Sequence, residues 1–238
     1  MDFVDDIKSR IEDYLDDEYE IIDAEDIPSV EDLSFGNKAK RMNLCTLCID
    51  LRKSTDLMYI HDEPTSGRIH KAFLTLVSKV VREFDGQIRS FQGDSLLAFW
   101  PAQTSDDLEK VIKAAMVIKW LLDDELSYLF EQFTKLDFGI GIHLSEVYIL
   151  RAGISRDTNN NDLIFIGESI NFAVALANRA KRPYHIAISN SVYRNLEDEW
   201  KNRQVFFFLE YRIWEKSSFR WQGRRRTIML TKHDMKID

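Results

Sequence analysis

The sequence has few of the residues that shape disulfide-rich or repetitive proteins, and it has no long apolar run. Its 238 residues include two cysteines, nine glycines and four prolines, too few for a disulfide framework or a low-complexity chain. No apolar stretch approaches the roughly 20 residues that a membrane-spanning helix needs. The N-terminus, MDFVDDIKSR, is acidic and has no apolar core, which excludes a signal peptide. We therefore expect a cytoplasmic globular protein.

The chain also has no excess of positive charge. Lys and Arg together number 32 and Asp and Glu together number 40, so the net charge is −8. A net-acidic surface disfavours general binding to nucleic acid and to anionic membranes, because both are polyanions. We expect neither partner, although a local basic patch can still bind phosphates.

The two cysteines, Cys45 and Cys48, have a spacing found in zinc and redox motifs, in the segment LCTLC. No second Cys or His pair follows at zinc spacing, and the flanking residues predict a strand. Residues i and i+3 of a strand face opposite sides. We therefore expect two buried, unreactive thiols.

Residues 1–40 carry many carboxylates and are expected to form an acidic, solvated arm. Ile7, Ile11 and Leu15 stand at helical spacing, which predicts a short amphipathic helix, and Pro28 ends this region. The rest of the chain, residues 41–238, is expected to form one domain.

Within that domain, strands and helices alternate in the apolar pattern. A strand ending in Asp50 is followed by a helix over 54–84, by a hairpin that turns at Gly93-Asp94, and by a helix over 105–130. A further strand pair is predicted in LDFGIGIH and EVYILRAG, then come a short strand in LIFIG, a helix in ESINFAVALANRAK, a strand in HIAIS, a helix over 191–200 and a C-terminal hairpin. This order predicts an α+β fold, with a mostly antiparallel sheet, a ferredoxin-like βαββαβ core and helices packed on it.

Two aspartates, Asp50 and Asp94, stand where this topology brings them to one edge of the sheet. A β-turn alone is reason enough for an Asp at the hairpin. Two carboxylates and a backbone carbonyl also suit a hard divalent cation that holds phosphates, and a pair of such cations suits in-line attack at phosphorus. The spacing leaves both interpretations open.

The order of four segments favours the metal site. These segments are CIDLRKST, FDGQIRSFQGDSLLAFWP, FGIGIHLSEVYI and FIGESINFAVALANRAKRPYHIAIS. Together they resemble the class III nucleotide cyclase catalytic domain of adenylate and guanylate cyclases, over about residues 41–232. The resemblance implies a homodimer with active sites at the subunit interface and two divalent cations, Mn²⁺ or Mg²⁺. It also implies conversion of a nucleoside triphosphate into a 3′,5′-cyclic nucleotide and pyrophosphate.

The resemblance assigns roles to particular residues around the metal pair. Asp50 and Asp94 would hold the cations, with the Leu51 carbonyl as an additional ligand. The segment LRKST, with Ser54 and Thr55, would cradle the triphosphate with helix N-terminal amides. The cations would lower the pKa of the ribose 3′-hydroxyl and neutralise the leaving pyrophosphate.

The residues that select a purine in the family are absent. Where adenylate cyclases carry Lys and guanylate cyclases Glu, this chain has Ser90, and where Asp or Thr contacts the base it has Ile164. A short hydroxyl and an aliphatic side chain make a different pocket, and the choice of base depends on hydrogen-bond partners. A cyclase that still takes ATP is the alternative.

The residues that would stabilise the transition state match the family in part. Asn171 matches the family's Asn, but the Arg expected four residues later is Ala175. Arg179 comes two helical turns after Asn171, on nearly the same face; its alternative role is that of a surface residue at a helix C-terminus. Arg224, in WQGRRR, aligns with the family's phosphate-binding Lys, and strand alternation lets only one or two of its three arginines face one site.

Three other conspicuous side chains have simpler interpretations. His143 ends a predicted strand, and we expect a structural histidine rather than a catalytic base. Phe99 and Trp100 are expected to belong to the core or to an interface rather than to a base-stacking platform.

With neither purine-selecting residue, no membrane span and no attached sensor, the chain is similar to the stand-alone pyrimidine cyclases of Pycsar antiphage defence. The resemblance implies cyclic UMP or cyclic CMP made after infection and a separately encoded effector. Ser90 can donate or accept a hydrogen bond and so does not distinguish the two bases; we expect UTP.

The alternatives are CTP, an adenylate cyclase, and a non-catalytic nucleotide-binding relic, which Ala175 favours. A diguanylate cyclase is disfavoured because Gln92-Gly93-Asp94-Ser95 replaces its Gly-Gly-Asp-Glu-Phe motif, and an RNA-binding sheet is disfavoured by the acidic balance.

Overall fold

The computed structural model describes residues 2–154, 157–206 and 209–237. The helices are α1 (Phe3–Asp16), α2 (Ser54–Ile60), α3 (Glu63–Glu83), α4 (Ser105–Trp120), α5 (Ser127–Glu131), α6 (Ser169–Arg179), α7 (Asn190–Asn195) and α8 (Asp198–Lys201). The strands are β1 (Glu20–Asp23), β2 (Lys38–Leu51), β3 (Gln87–Gln92), β4 (Ser95–Pro101), β5 (Phe138–Gly153), β6 (Asn161–Ile166), β7 (Ile186–Ser189), β8 (Asn202–Phe206), β9 (Leu209–Arg212), β10 (Glu215–Trp221) and β11 (Arg224–Thr231).

The chain divides into two compact units. The smaller unit consists of Met1–Asn43 and Glu146–Gly167, and the larger unit of Leu44–Ser145 and Glu168–Asp238. The long strands β2 and β5 each contribute residues to both units. The predicted boundary near residue 40, between an acidic arm and a catalytic domain, stays a prediction.

The smaller unit contains two strand pairs and the N-terminal helix. β1 runs parallel to the first residues of β2, and β6 runs antiparallel to the last residues of β5. The predicted amphipathic helix is present as α1, and all of its residues are exposed. The side chain of Asn37 donates hydrogen bonds to the carbonyls of Tyr14 and Asp17, at 3.1 and 2.8 Å, and so caps the end of α1.

The larger unit is built on a sheet with the strand order β10-β11-β7-β5-β2-β4-β3. The β10–β11, β11–β7, β2–β4 and β3–β4 pairs are antiparallel and the β5–β7 pair is parallel. Helices α3 and α4 bury apolar faces in its main core, with Phe73, Val77 and Ile112 fully inaccessible. This arrangement confirms the predicted α+β fold with a mostly antiparallel sheet.

Both core helices begin at the residues that the capping rules favour. The Asp62 side chain accepts a hydrogen bond from the Thr65 amide at 2.9 Å, and Pro64 occupies the first turn of α3. At the start of α4, Thr104 and Asp107 form a capping box. The sequence analysis missed the start of α3 after Asp62. It predicted one helix over 54–84, whereas the structure has two, α2 and α3.

Three other element predictions were wrong in their boundaries. In place of the helix predicted over 105–130, the structure has α4, which ends at Trp120, a π-helical turn over Leu121–Glu125, and then α5. The predicted pair LDFGIGIH and EVYILRAG is the single strand β5, Phe138–Gly153. The helix predicted over 191–200 is divided into α7 and α8.

The C-terminal hairpin is also more complex than predicted. Two hairpins are present, β8 with β9 and β10 with β11. Across the described ranges, no helix combines the length and the apolar character of a transmembrane span.

Candidate active site

The site begins where β2 ends beside the β3–β4 hairpin. Asp50 is the register partner of Ser95 on β4, and Asp94 directly precedes Ser95 in the hairpin loop. Gly93, the first loop residue, has φ +62°, which suits the type II′ turn of a two-residue hairpin. The two carboxylates therefore lie at the same edge of the sheet, as predicted.

The electrostatics of this edge suit a cation. Burial raises the pKa of the half-buried Asp50 carboxyl, the negative charge of Asp94 raises it further, and Arg52 partly opposes both effects. A divalent cation beside Asp50 would offset the unfavourable effect of the Asp94 charge on the Asp50 carboxylate. No cluster of three or more His, Cys, Asp or Glu side chains suited to a metal occurs among the described residues.

After Asp50 the chain turns sharply into α2. The backbone amide of Arg52 donates to the carbonyl of Asp137 at 2.8 Å, and Lys53 adopts a left-handed conformation with φ +57°. Helix α2 then begins at Ser54, which is half-buried, and Thr55, which is exposed. Their phosphate-binding roles stay predictions.

The Arg52 side chain binds backbone atoms of the protein itself. Its guanidinium donates to the backbone carbonyls of Ala177 and Ala180, at 2.7 and 2.8 Å, at the end of α6. The LRKST segment therefore has one cation already committed to the protein itself. A sequence gives no signal for such a contact, because its partners are backbone atoms about 125 residues away.

Helix α6 presents Asn171 and Arg179, both exposed to solvent. The Arg179 guanidinium lies 5.9 Å from the centroid of the Phe219 ring, within the range of a cation–π contact. The sequence therefore placed both residues correctly on one helix, and their catalytic roles stay predictions.

Arg224 is exposed and begins β11 opposite Trp221. Alternation places Arg226 on the same face and Arg225 on the other, where the Arg225 Nε atom donates to Ser218 at 3.0 Å. Arg226 was not singled out by the sequence, yet it forms a 2.5 Å ion pair with Glu168 at the start of α6. Its guanidinium also lies 5.3 Å from the centroid of the Trp221 ring. The alternation predicted along WQGRRR thus divides the three arginines between the two faces of the strand.

The two residues that replace the purine-selecting side chains belong to different units. Ser90 is half-buried on β3, opposite Leu97, just after a shift in register. Ile164 lies on β6 opposite Leu150, and its side chain is 43% exposed. Each occupies a strand, as predicted.

The remaining expectations concern buried residues. Cys45 and Cys48 are buried free thiols, and burial raises the pKa of Cys48 to about 12, which confirms that they are unreactive. His143 is buried, and burial together with Arg226 lowers its pKa to about 4. Trp100 belongs to the core and donates its indole N–H to the Phe84 carbonyl at 2.7 Å.

Comparisons with known proteins agree with this geometry. No protein-family model matches the chain. A protein of Burkholderia cepacia named uridylate cyclase is 28% identical over 215 residues, which cover 84% of this chain and 87% of that protein. A protein of Gulbenkiania mobilis with the same name is 28% identical over 212 residues, 82% of this chain and 79% of its own.

A solved structure shares the architecture. The guanylyl cyclase Cya2 superimposes with a TM-score of 0.68 at 16% identity, over 83% of this chain and 95% of its own. The chain has the fold of the class III nucleotide cyclases. The resemblance found in the four sequence segments is thereby confirmed, and the edge that carries Asp50 and Asp94 lies in a sheet with this fold.

Proposed function

We propose that this protein is a uridylate cyclase, which converts UTP into 3′,5′-cyclic UMP and pyrophosphate. The observation that carries the proposal is the convergence of Asp50 and Asp94 at one sheet edge within a class III cyclase fold. The choice of UTP is supported by relatives that bear the name uridylate cyclase at 22–28% identity. It is also supported by Ser90 and Ile164, which lack the charged groups that select purines.

The residues fit two divalent cations, Mn²⁺ or Mg²⁺, held by Asp50, Asp94 and the Leu51 carbonyl. When bound, such cations lower the pKa of the ribose 3′-hydroxyl and neutralise charge on the pyrophosphate. In the reaction, the 3′-oxygen forms a bond to the α-phosphorus, the bond to the pyrophosphate oxygen breaks, and the 3′-hydroxyl proton is released.

In this proposal, the other site residues stabilise negative charge on the phosphates or orient the substrate. The Asn171 amide and the Arg179 guanidinium donate to the charge that develops at the α-phosphate. Arg224 binds the terminal phosphates, and Ser54 and Thr55 orient them at the start of α2. Ser90 and Ile164 stand at the positions that select the base in the family, and the Ser90 hydroxyl can donate to or accept from the uracil edge.

We further propose that the protein works as a homodimer with active sites at the subunit interface. Asp50 and Asp94 of one subunit would then share a substrate with residues of the other. Light scattering on the purified protein tests the dimer. Restored activity on mixing Asp50→Ala with Asn171→Ala subunits would support shared sites.

We also propose that cyclic UMP serves as a second messenger in antiphage defence, read by a separately encoded effector. Cells that express the protein with its neighbouring genes should resist phage and accumulate cyclic UMP on infection. Cells that carry Asp94→Ala instead should show neither response.

The decisive experiment is to incubate the protein with ATP, GTP, CTP or UTP and Mn²⁺ and to identify each product by mass. Cyclic UMP supports the proposal, cyclic CMP changes the base, and cyclic AMP or cyclic GMP contradicts the specificity argument. No product from any nucleotide favours a nucleotide-binding relic. Asp50→Ala and Asp94→Ala should abolish turnover, whereas Asp198→Ala, at an exposed surface pair with Lys201, should not.

A further inference from the structure

One face of the β10–β11 hairpin lies against helix α6. The register pairs Phe219 with Arg226 and Trp221 with Arg224. Residues directly opposite each other, and residues two apart on a strand, share a face, so these four side chains lie on the same side of the hairpin. The buried Phe172, in the first turn of α6, stacks on the Phe219 ring at 5.9 Å and packs against the Trp221 ring at 4.8 Å between centroids. Helix α6 and strand β11 are therefore packed together within the larger unit.

An ion pair joins the start of α6 to the same face of the hairpin. The Arg226 guanidinium donates at 2.5 Å to the carboxylate of Glu168, the residue directly before α6. This guanidinium also lies 5.4 Å from the centroid of the Phe172 ring and 5.3 Å from that of the Trp221 ring, within the range of cation–π contacts. An isolated surface ion pair contributes little to stability, but a guanidinium that also contacts two rings has few orientations available. The Arg226–Glu168 pair therefore fixes the geometry between α6 and β11.

Two residues next to this ion pair are ones that the proposed function assigns to the triphosphate. On α6, Asn171 comes three residues after Glu168, and residues three apart are neighbours on the surface of a helix. On β11, Arg224 comes two residues before Arg226 and shares its face. Asn171 and Arg224 are exposed, whereas the Arg226 side chain is only 31% exposed. The ion pair therefore sets the spacing between two groups that are open to a substrate.

We infer that Arg226 is a positioning residue of the proposed cyclase. Through Glu168 it holds Asn171, which would act at the α-phosphate, at a fixed spacing from Arg224, which would bind the terminal phosphates. In the proposed dimer these residues belong to one subunit, and the metal ligands of the same site come from the other. A displacement of about 1 Å can cost on the order of 100-fold in rate, because cyclisation needs a near-attack geometry. The inference rests on the proposed function, because it concerns how the protein orients the triphosphate.

The kinetic test compares Arg226→Gln with Arg225→Gln in steady-state assays with UTP. Arg226→Gln should lower kcat at least ~10-fold and change KM less than about threefold, because Arg224 still binds phosphate while Asn171 is displaced. Arg226→Lys, which keeps the charge, should recover part of kcat. Arg225 is the matched control, because it is the neighbour of Arg226 on β11 but faces the other side and donates to Ser218. Its replacement should leave kcat within about twofold, and an equal loss in both variants would overturn the inference.

A double-mutant cycle distinguishes positioning from direct binding of the substrate. If Arg226 acts through Glu168, Glu168→Ala should lower kcat by a similar factor. The double variant Glu168→Ala/Arg226→Gln should then be no slower than Arg226→Gln. Losses that multiply, or an effect of Arg226→Gln mainly on KM, would overturn the inference and make Arg226 a phosphate ligand.

Mixed dimers test whether the effect belongs to the phosphate-binding half of the site. Arg226→Gln subunits mixed with Asp50→Ala subunits should regain activity, because one of the two sites then combines two intact halves. Mixed with Asn171→Ala subunits they should not, because each site then contains an altered phosphate-binding half. Recovery with Asn171→Ala would overturn the inference.

Hydrogen exchange provides a readout that does not depend on activity. Peptides over residues 168–176 should exchange faster in Arg226→Gln than in the wild type, and should be unchanged in Arg225→Gln. Unchanged exchange in Arg226→Gln would overturn the inference. A wild-type protein that makes no cyclic nucleotide would instead overturn the proposed function, whereas the exchange measurement would still report on the Arg226–Glu168 pair.

Discussion

The hydroxyl oxygens of Thr46 and Ser169 share a 2.5 Å hydrogen bond in the core, across 123 residues of sequence. Both side chains are completely inaccessible to solvent. A buried hydroxyl that loses its partner keeps its desolvation cost, so this pair specifies where α6 meets β2.

We expect Thr46→Val to destabilise the protein by about 1–2 kcal/mol, because Ser169 would keep only its long 3.4 Å hydrogen bond to the Leu44 carbonyl. Urea unfolding measures this change. Thr46→Ser keeps the hydroxyl and should cost less. The double variant Thr46→Val/Ser169→Ala should be more stable than the sum of the single changes predicts; additive effects would show that the two hydroxyls act independently.

The repulsion between Asp50 and Asp94 predicts a gain in stability when the first is neutralised. Since burial and then Asp94 raise the pKa of Asp50, the folded protein disfavours a charge that the unfolded chain carries freely above its ordinary carboxyl pKa. Asp50→Asn should therefore raise Tm at pH 7, and the gain should vanish as the pH falls below the pKa of the unfolded carboxyl.

The same variant should lose the response to metal. Mn²⁺ should raise the Tm of the wild type, because a ligand of the folded state stabilises it. It should not raise the Tm of Asp50→Asn. A lower Tm for Asp50→Asn at pH 7 would contradict the electrostatic argument, and an equal Mn²⁺ response would contradict the site.

Replacement of Arg179 distinguishes a catalytic role of this residue from a surface role. Removal of a transition-state cation should lower kcat at least ~10-fold, so Arg179→Ala should show that loss in a steady-state assay with UTP. Arg194→Ala is the matched control, because each arginine lies in the last turn of its helix. If kcat is the same in both variants, Arg179 is a surface residue over Phe219.

Close packing of α6 on β5 predicts opposite effects at two glycines. A Cβ at Gly141 would meet backbone atoms of Ala173 and Ala177, whereas a Cβ at Gly67, inside α3, would meet open space. Gly141→Ala should therefore destabilise the protein by several kcal/mol and reduce turnover. Gly67→Ala should stabilise it by about 0.5–1 kcal/mol, because Ala is the better helix former. Thermal unfolding of the two variants gives the comparison, and a stable Gly141→Ala protein would show that α6 can shift.

His143 should make the protein sensitive to acid. Burial, and then the charge of Arg226, lower its pKa to about 4, so the folded state holds the imidazole neutral. Its stabilising contribution is complete above the ordinary histidine pKa of about 6.5 and is lost as the pH falls through about 4. Urea unfolding across that window should show a steeper loss in the wild type than in His143→Leu. Parallel curves would contradict the assignment.

The sequence predicted the elements whose signal is local. The spacing of apolar residues and the turn-forming residues predicted three of these elements. They are the turn at Gly93-Asp94, the strand that ends in Asp50 and the helix that carries Asn171. The convergence of Asp50 and Asp94 followed from topology. The split after Asp62 was also available, since an Asp before a Pro in the first turn is a helix start.

What could not be predicted depends on contacts between distant backbone and side-chain atoms. The commitment of Arg52 to α6 needs the carbonyls of Ala177 and Ala180 to lie within reach, and no periodicity encodes that. The continuity of β5, which was predicted as two strands, was also missed. The ion pair of Arg226 was missed because its partner, Glu168, lies 58 residues away in the sequence.

The two-residue loop of the β3–β4 hairpin has a consequence for how such enzymes diversify. Ser90 and Asp94 stand four residues apart on one hairpin. Under the proposed function, this short segment therefore carries one base-selecting residue and one metal ligand. An insertion or deletion in the hairpin would change its pairing register and turn side chains to the other face. Under the proposed function, single substitutions at Ser90 on β3 and at Ile164 on β6 can change the base, whereas changes of length in this hairpin should be selected against.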